Sequence, residues 1–253
     1  MNYFLRIFVS SLTAYSFSIL AIVLPYGCKS QISGTSLSSK DYTSFLQGKF
    51  KPDTCAFFQK IASNLSDKTD LYLQKETLAS FEKMYKSAKE AGVMLKIVSA
   101  TRNFDKQKAI WNTKWKRADF IRYSAGSARA KAIMKFSSMP GTSRHHWGTD
   151  IDLNDLNNSY FTNQEGKKMY DWMVENASKF GFCQVYSAKS KSRPEGYEEE
   201  KWHWSYMPLS KIYTKDYATY IKPEMAKGFE GSNAFNELKV IDNYVKGINP
   251  DCK

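Results

Sequence analysis

The chain has 253 residues, with 37 lysines and arginines against 25 aspartates and glutamates, a formal net charge of +12. This composition excludes a disordered or fibrous chain, and the aromatic residues suffice for one substantial core. The basic residues are dispersed and accompany no nucleic-acid motif, so the charge reads as a solvated surface. It suits an anionic cell-envelope partner and not a nucleic acid.

Taken in chain order, Arg6 is followed by an apolar run over residues 7–24 and then by Pro25, Tyr26, Gly27 and Cys28. Residues 1–27 read as a secretory signal and resemble a bacterial lipoprotein signal in which Cys28 becomes the lipidated first residue. A plain cleaved signal and an uncleaved anchor are the alternatives. All three predict export to the cell envelope, with membrane attachment only through an N-terminal lipid or anchor. Residues 28–44 are polar and Ser-rich and read as a tether, leaving residues 45–253 as one domain. Export permits a disulfide. The positions of Cys55 and Cys252 near the two ends of that domain make them the expected pair, with Cys183 buried and free, although connectivity stays open.

Within the domain, residues 76–91 place Leu78, Phe81, Met84, Tyr85 and Ala88 on one helical face before Gly92. Residues 93–100 read as a strand, 105–116 as a helix, and 127–136 as a helix stopped by Pro140 and Gly141. From Thr149 to Leu153 polar and apolar residues alternate, the pattern of a half-buried strand whose polar face could line a site. Thr162 to Glu165 has the form of a capping box, followed by Met169, Trp172, Met173 and Phe180 at helical spacing. Residues 189–199 form a charged loop, 201–207 a strand, and 233–246 a final helix. Helices outnumber a few short strands in hairpin-like order, which predicts an α+β fold.

The chain's three histidines all fall in two short polar-aromatic segments, Ser143-Arg-His145-His146-Trp-Gly148-Thr-Asp150-Ile-Asp152 and Glu200-Lys-Trp202-His203. A hydrolytic zinc site needs three protein ligands and one open position. His145, Asp152 and His203 supply such a set, and Glu200, three residues before His203, remains as a general base. His146 could replace His145 as ligand, contact substrate, or support the ligands from behind. Asp150 could hold a ligand histidine, compete for the metal, or face substrate. Spacing alone does not decide between these.

These motifs resemble the signature of the zinc D-alanyl-D-alanine carboxypeptidases associated with vancomycin resistance, which share a superfamily with lysostaphin-type endopeptidases and the hedgehog signalling domain. The resemblance implies a small antiparallel sheet flanked by helices, with Zn(2+) held by His145, Asp152 and His203 and with Glu200 as catalytic base. Ser99-Ala-Thr-Arg102, followed by Gln107, resembles an upstream segment of the family's cleft, implying that Arg102 holds a substrate carbonyl, carboxylate or oxyanion. Gln107, Ser143 and Trp202 join His146 and Asp150 as implied substrate contacts. The implied substrate is a peptidoglycan stem peptide. Endopeptidase, dipeptidase and hedgehog-like binding functions are the alternatives, the differences expected in residues 188–199 and 116–126. Two positions depart from the family pattern: Asp150, where a small apolar residue is usual, and Lys201, where Pro is common.

Overall fold

The computed structural model describes residues 39–124 and 126–252. Its centre is a four-stranded antiparallel sheet in the order β3-β4-β6-β5, made of β3 (Ile97–Ser99), β4 (Asp150–Leu153), β5 (Phe182–Cys183) and β6 (His203–Tyr206). A separate hairpin joins β1 (Phe58–Lys60) to β2 (Tyr72–Gln74). The α+β architecture agrees with the sequence reading.

The register of the central pair positions everything that follows. Ile151 lies opposite Trp204, and Asp152 opposite His203. Residues opposed across antiparallel strands share a face. Ile151 and Trp204 therefore join one apolar cluster, with Leu78, Phe81 and Met84 of α2 (Lys75–Glu90) and Met169 and Met173 of α6 (Gln164–Asn176). Asp152 and His203 face the other way. Both strands are buried along their whole length, so β4 is more deeply buried than a half-buried strand. Its polar side faces a packed site instead of water.

Helix α2 follows its predicted face and ends before Gly92, which adopts φ +68°. The strand expected over 93–100 contracts to β3. Asn154 leaves β4 with φ 61° and exchanges hydrogen bonds with Lys96, which ends the pairing there. Helix α3 (Phe104–Trp115) is capped by the Asn103 side chain, and α4 (Ala118–Ile121) and α5 (Ser127–Ile133) follow it. The cap of α6 is Asn163, which accepts from the Gly166 N–H. Thr162 instead closes the preceding 3₁₀ turn through Ser159, so the expected capping box does not form.

Two elements differ more. Residues 207–220 form α7 (Met207–Tyr220), entered through Pro208, and bury Tyr213 and Tyr217 against Phe45, Leu46 and Trp147. The sequence reading assigned no helix here. Conversely, the expected helix over 233–246 breaks into a 3₁₀ turn (Ser232–Ala234) and a π-helical turn (Ile241–Val245), with Lys239 at φ 47° between them. Phe235, Val240 and Tyr244 pack into the cluster around Trp111, whereas Val245 packs into the cluster around Trp147. Serving two cores overrides the helical spacing.

The residues assigned to the signal, and most of those assigned to the tether, lie outside the described residues. The last part of the expected tether is helical: α1 (Ser39–Leu46) buries Tyr42, Phe45 and Leu46. Among the described residues, no helix is long and apolar enough to cross a membrane.

The expected Cys55–Cys252 pair is replaced by a Cys183–Cys252 disulfide, with Cα atoms 5.8 Å apart. The C-terminal segment reaches β5 because the Asn249 N–H donates to the Val185 carbonyl at 2.8 Å and its side chain to the Gln184 carbonyl. The bridge closes 69 residues of chain. On loop-closure entropy, Cys252→Ser is expected to lower unfolding free energy by about 4 kcal/mol. Urea denaturation of both forms, with and without reductant, checks this: reductant should erase the difference.

Candidate active site

His145 sits in a 3₁₀ turn, Arg144–Trp147, that ends at Gly148. Gly148 has φ +71°, and a Cβ there would collide with the Phe58 ring, which accounts for glycine at this point of the motif. The turn is fixed from behind: Gln74 donates to the Trp147 carbonyl at 2.6 Å, and the Trp147 indole donates to the Leu46 carbonyl at 3.1 Å.

The His145 Nδ1–H donates to the Ala100 carbonyl at 2.9 Å, leaving Nε2 aimed at Asp152 Oδ2, 3.3 Å away. The His203 Nε2–H donates to Asp150 Oδ1 at 3.0 Å, leaving Nδ1 at 3.1 Å from Asp152 Oδ1 and 3.5 Å from Glu200 Oε2. One ligand atom from each of His145, Asp152 and His203 lies within 4.8 Å of the others, and all three residues are buried. His145 Nε2 and Asp152 Oδ1 have no aligned hydrogen-bond partner. Buried polar atoms left unpaired are costly unless something satisfies them. Two imidazoles and a carboxylate, each orientated by a hydrogen bond or by the sheet, form a donor set that fits zinc.

Electrostatics agree with this geometry. Burial opposes the ionised Asp152, yet His145 and His203 hold its carboxyl well below the usual range. Burial alone would lower His203, but hydrogen bonds with Asp150 and Asp152 outweigh it and push the ring up to about 9. These carboxylates create a place where positive charge is favoured. Glu200 is 6 % exposed, and burial pushes its carboxyl up to about 8 against the opposing pull of His203.

Three implied substrate contacts, Asp150, His146 and Gln107, lie away from the cleft. Asp150 is wholly buried and does not line the cleft. Its carboxylate accepts from His203, from Thr149 Oγ1 at 2.5 Å and from Arg144 Nε at 3.1 Å. Among the alternatives left open, the geometry selects Asp150 as the residue that holds His203. His146 is equally buried: Nε2 accepts from the Gly141 N–H at 3.0 Å and Nδ1–H donates to the Arg102 carbonyl at 2.6 Å. Burial pushes it down to about 3, so the ring is a neutral strut between two loops. Gln107 is buried as well, donating to the Ser138 carbonyl at 2.8 Å without lining the cleft. It shapes the cleft wall indirectly.

Arg144 was not anticipated. Only 1 % exposed, it bonds Asp150, Ser205 and Thr214 and stacks over Trp147. The signal was present in the departure at Asp150, since a carboxylate forced into a core calls for a buried cation, and the nearest upstream cation is Arg144.

A cleft of about 550 Å³ opens over the ligand cluster. Arg102, Ser143, Glu200 and Trp202 all line it. Arg102 Nε and Ser143 Oγ are buried without hydrogen-bond partners. The expected site thus converges in His145, Asp152, His203, Glu200, Arg102, Ser143 and Trp202.

The family model described as "VanY: D-alanyl-D-alanine carboxypeptidase" matches residues 70–209, a stretch containing every one of these residues. The chain belongs to this D-alanyl-D-alanine carboxypeptidase family. It is 30% identical over 138 residues to YodJ of Bacillus subtilis (strain 168), covering 54% of this chain and 46% of that protein. It is 29% identical over 133 residues to a D-alanyl-D-alanine carboxypeptidase of Enterococcus faecalis (strain ATCC 700802 / V583), covering 51% of this chain and 47% of the other. The match thus spans about half the length of these curated relatives. Among solved structures, that of the LdcB LD-carboxypeptidase is similar with a TM-score of 0.50 and 24% identity, covering 69% of this chain and 81% of that one, which shows a shared fold.

Proposed function

We propose that this chain is a zinc-dependent D-alanyl-D-alanine carboxypeptidase that removes the terminal residue of peptidoglycan stem peptides. The observation carrying this reading is the convergence of His145, Asp152 and His203, both histidines held through their far ring nitrogens, beside the buried carboxylate of Glu200. Zinc bound there would supply Lewis-acid chemistry, acidifying water and polarising a carbonyl.

The chain's own groups do the rest. Glu200 receives a proton at its carboxylate and returns it to the departing amine, and a carboxyl whose proton affinity is raised by burial suits both halves of that task. Arg102, with Nε unpaired in the cleft wall, donates to the substrate carboxylate or to the oxygen on which negative charge develops. Ser143 Oγ offers a second polar contact, and Trp202 an apolar surface. An exported location follows from a cell-wall substrate, and the positive net charge favours residence near anionic envelope polymers.

The test is incubation of the zinc-loaded full chain with a stem pentapeptide ending in D-Ala–D-Ala. Release of free D-alanine, abolished by a chelator, is the expected result. Cleavage only of cross-linked wall fragments would replace the reading with an endopeptidase. Tight zinc binding with no hydrolysis of either would replace it with a binding module.

A further inference from the structure

The catalytic cleft continues past Lys114. A second hollow of about 260 Å³ adjoins it and shares Lys114 and Phe136 with it. Lys114, Arg117, Arg122 and Lys135 bring four cations to its lining, and Asp119 brings one carboxylate. Arg117 and Asp119 satisfy one another through two hydrogen bonds of 2.7 and 2.6 Å. Among the described residues, none of the other three cations has a carboxylate within ion-pair distance. Lys114 is half-buried, and burial first and Arg117 second hold its ammonium below the usual lysine range, with Glu200 opposing.

The boundary between the two hollows is apolar. Phe136 is 49% exposed and leans over the Trp202 ring with centroids 6.4 Å apart. An exposed phenylalanine between two concavities gives an extended chain a surface on which to cross. The electrostatics set a direction for that crossing. A carboxylate at the scissile end would meet Arg102, whereas one carried further along the chain would meet three cations that have no carboxylate at ion-pair distance.

Resting on the carboxypeptidase reading, we infer that this hollow is a subsite for a carboxylate that the peptide substrate carries away from its scissile bond. The substrate class is thereby narrowed to acidic peptides whose upstream carboxylates are free and not amidated. Lys114 lies between both hollows and positions the chain, while Arg122 and Lys135 make the discriminating contacts.

Two zinc-loaded proteins test this, Glu200→Gln and the same protein carrying Arg122→Gln and Lys135→Gln. The probes are two synthetic pentapeptides ending in D-Ala–D-Ala, identical except that the carboxylates of the second and third residues are free in one and amidated in the other. Because ion pairs at a partly exposed site are individually weak, the free-acid peptide should bind Glu200→Gln about tenfold more tightly by calorimetry at low salt. That ratio should shrink as salt is raised and fall towards one in the triple variant. A ratio near one in Glu200→Gln, or one that survives the triple variant, overturns the subsite. Discrimination in binding without D-alanine release by the wild-type chain overturns the carboxypeptidase reading and leaves the subsite standing. Equal release from both peptides does the reverse.

Discussion

Glu200→Gln is expected to lower kcat by roughly three orders of magnitude, the middle of the range for losing a positioned general base. Zinc affinity should change little, because Glu200 is not one of the three groups whose ligand atoms converge. Glutamine preserves the shape of a side chain that is 6 % exposed. It can still accept a hydrogen bond, but it cannot take up and return a proton. Stopped assays of D-alanine release, paired with zinc titration by a chromophoric chelator, separate the two effects. Retained activity would remove Glu200 from the proton-transfer role. Lost zinc together with lost activity would make it a ligand.

Asp150→Ala is expected to have the largest combined effect on metal binding and stability. Asp150 holds His203 through Nε2–H and neutralises Arg144, and all three are buried. Partners behind a metal ligand typically account for 10–100-fold in affinity, so zinc should bind weaker by about that factor. Removing one member of a buried ion pair also strands the other, at roughly 3–5 kcal/mol. The two consequences can be separated. Arg144→Met combined with Asp150→Leu removes the stranded charge and should recover most of the stability in urea melts, while zinc affinity stays low. If the double variant bound zinc like the wild type, Asp150 would be a packing residue only.

The residues that converge in the candidate metal site were legible because they are concentrated: two short segments hold every histidine in the chain. The alternation from Thr149 to Leu153 also revealed a strand, and with it the shared face of Asp150 and Asp152. What sequence did not reveal was direction and reach. Along a strand, two residues advance about 6.6 Å, enough to carry Asp150 past the convergence of His145 and Asp152 and behind His203. In a 3₁₀ turn, successive side chains diverge by about 120°, so His146 points away from His145 and into the loop contact with Arg102. Gln107 was identified by its place in a motif, but its side chain serves a neighbouring carbonyl. Helix α7 had a sequence signal in Pro208 at its first turn, obscured by the strand that runs directly into it. The broken C-terminal helix had none. Its spacing is helical, and only the requirement to fill two separate cores disrupts it.

Helix α1 has a practical consequence for handling the protein. Its carboxyl end supplies the Leu46 carbonyl that the Trp147 indole grips, and the Gly48 carbonyl just beyond it receives the N–H of Phe104 at 2.7 Å. A protein shortened to begin at residue 45 would lose Tyr42 and most of this helix while retaining every catalytic group. It would keep the Leu46 carbonyl but lose the helix that holds it in place behind the His145 turn. An inactive fragment of that length would report on the cut and not on the chemistry, so any trimmed form should begin before Ser39.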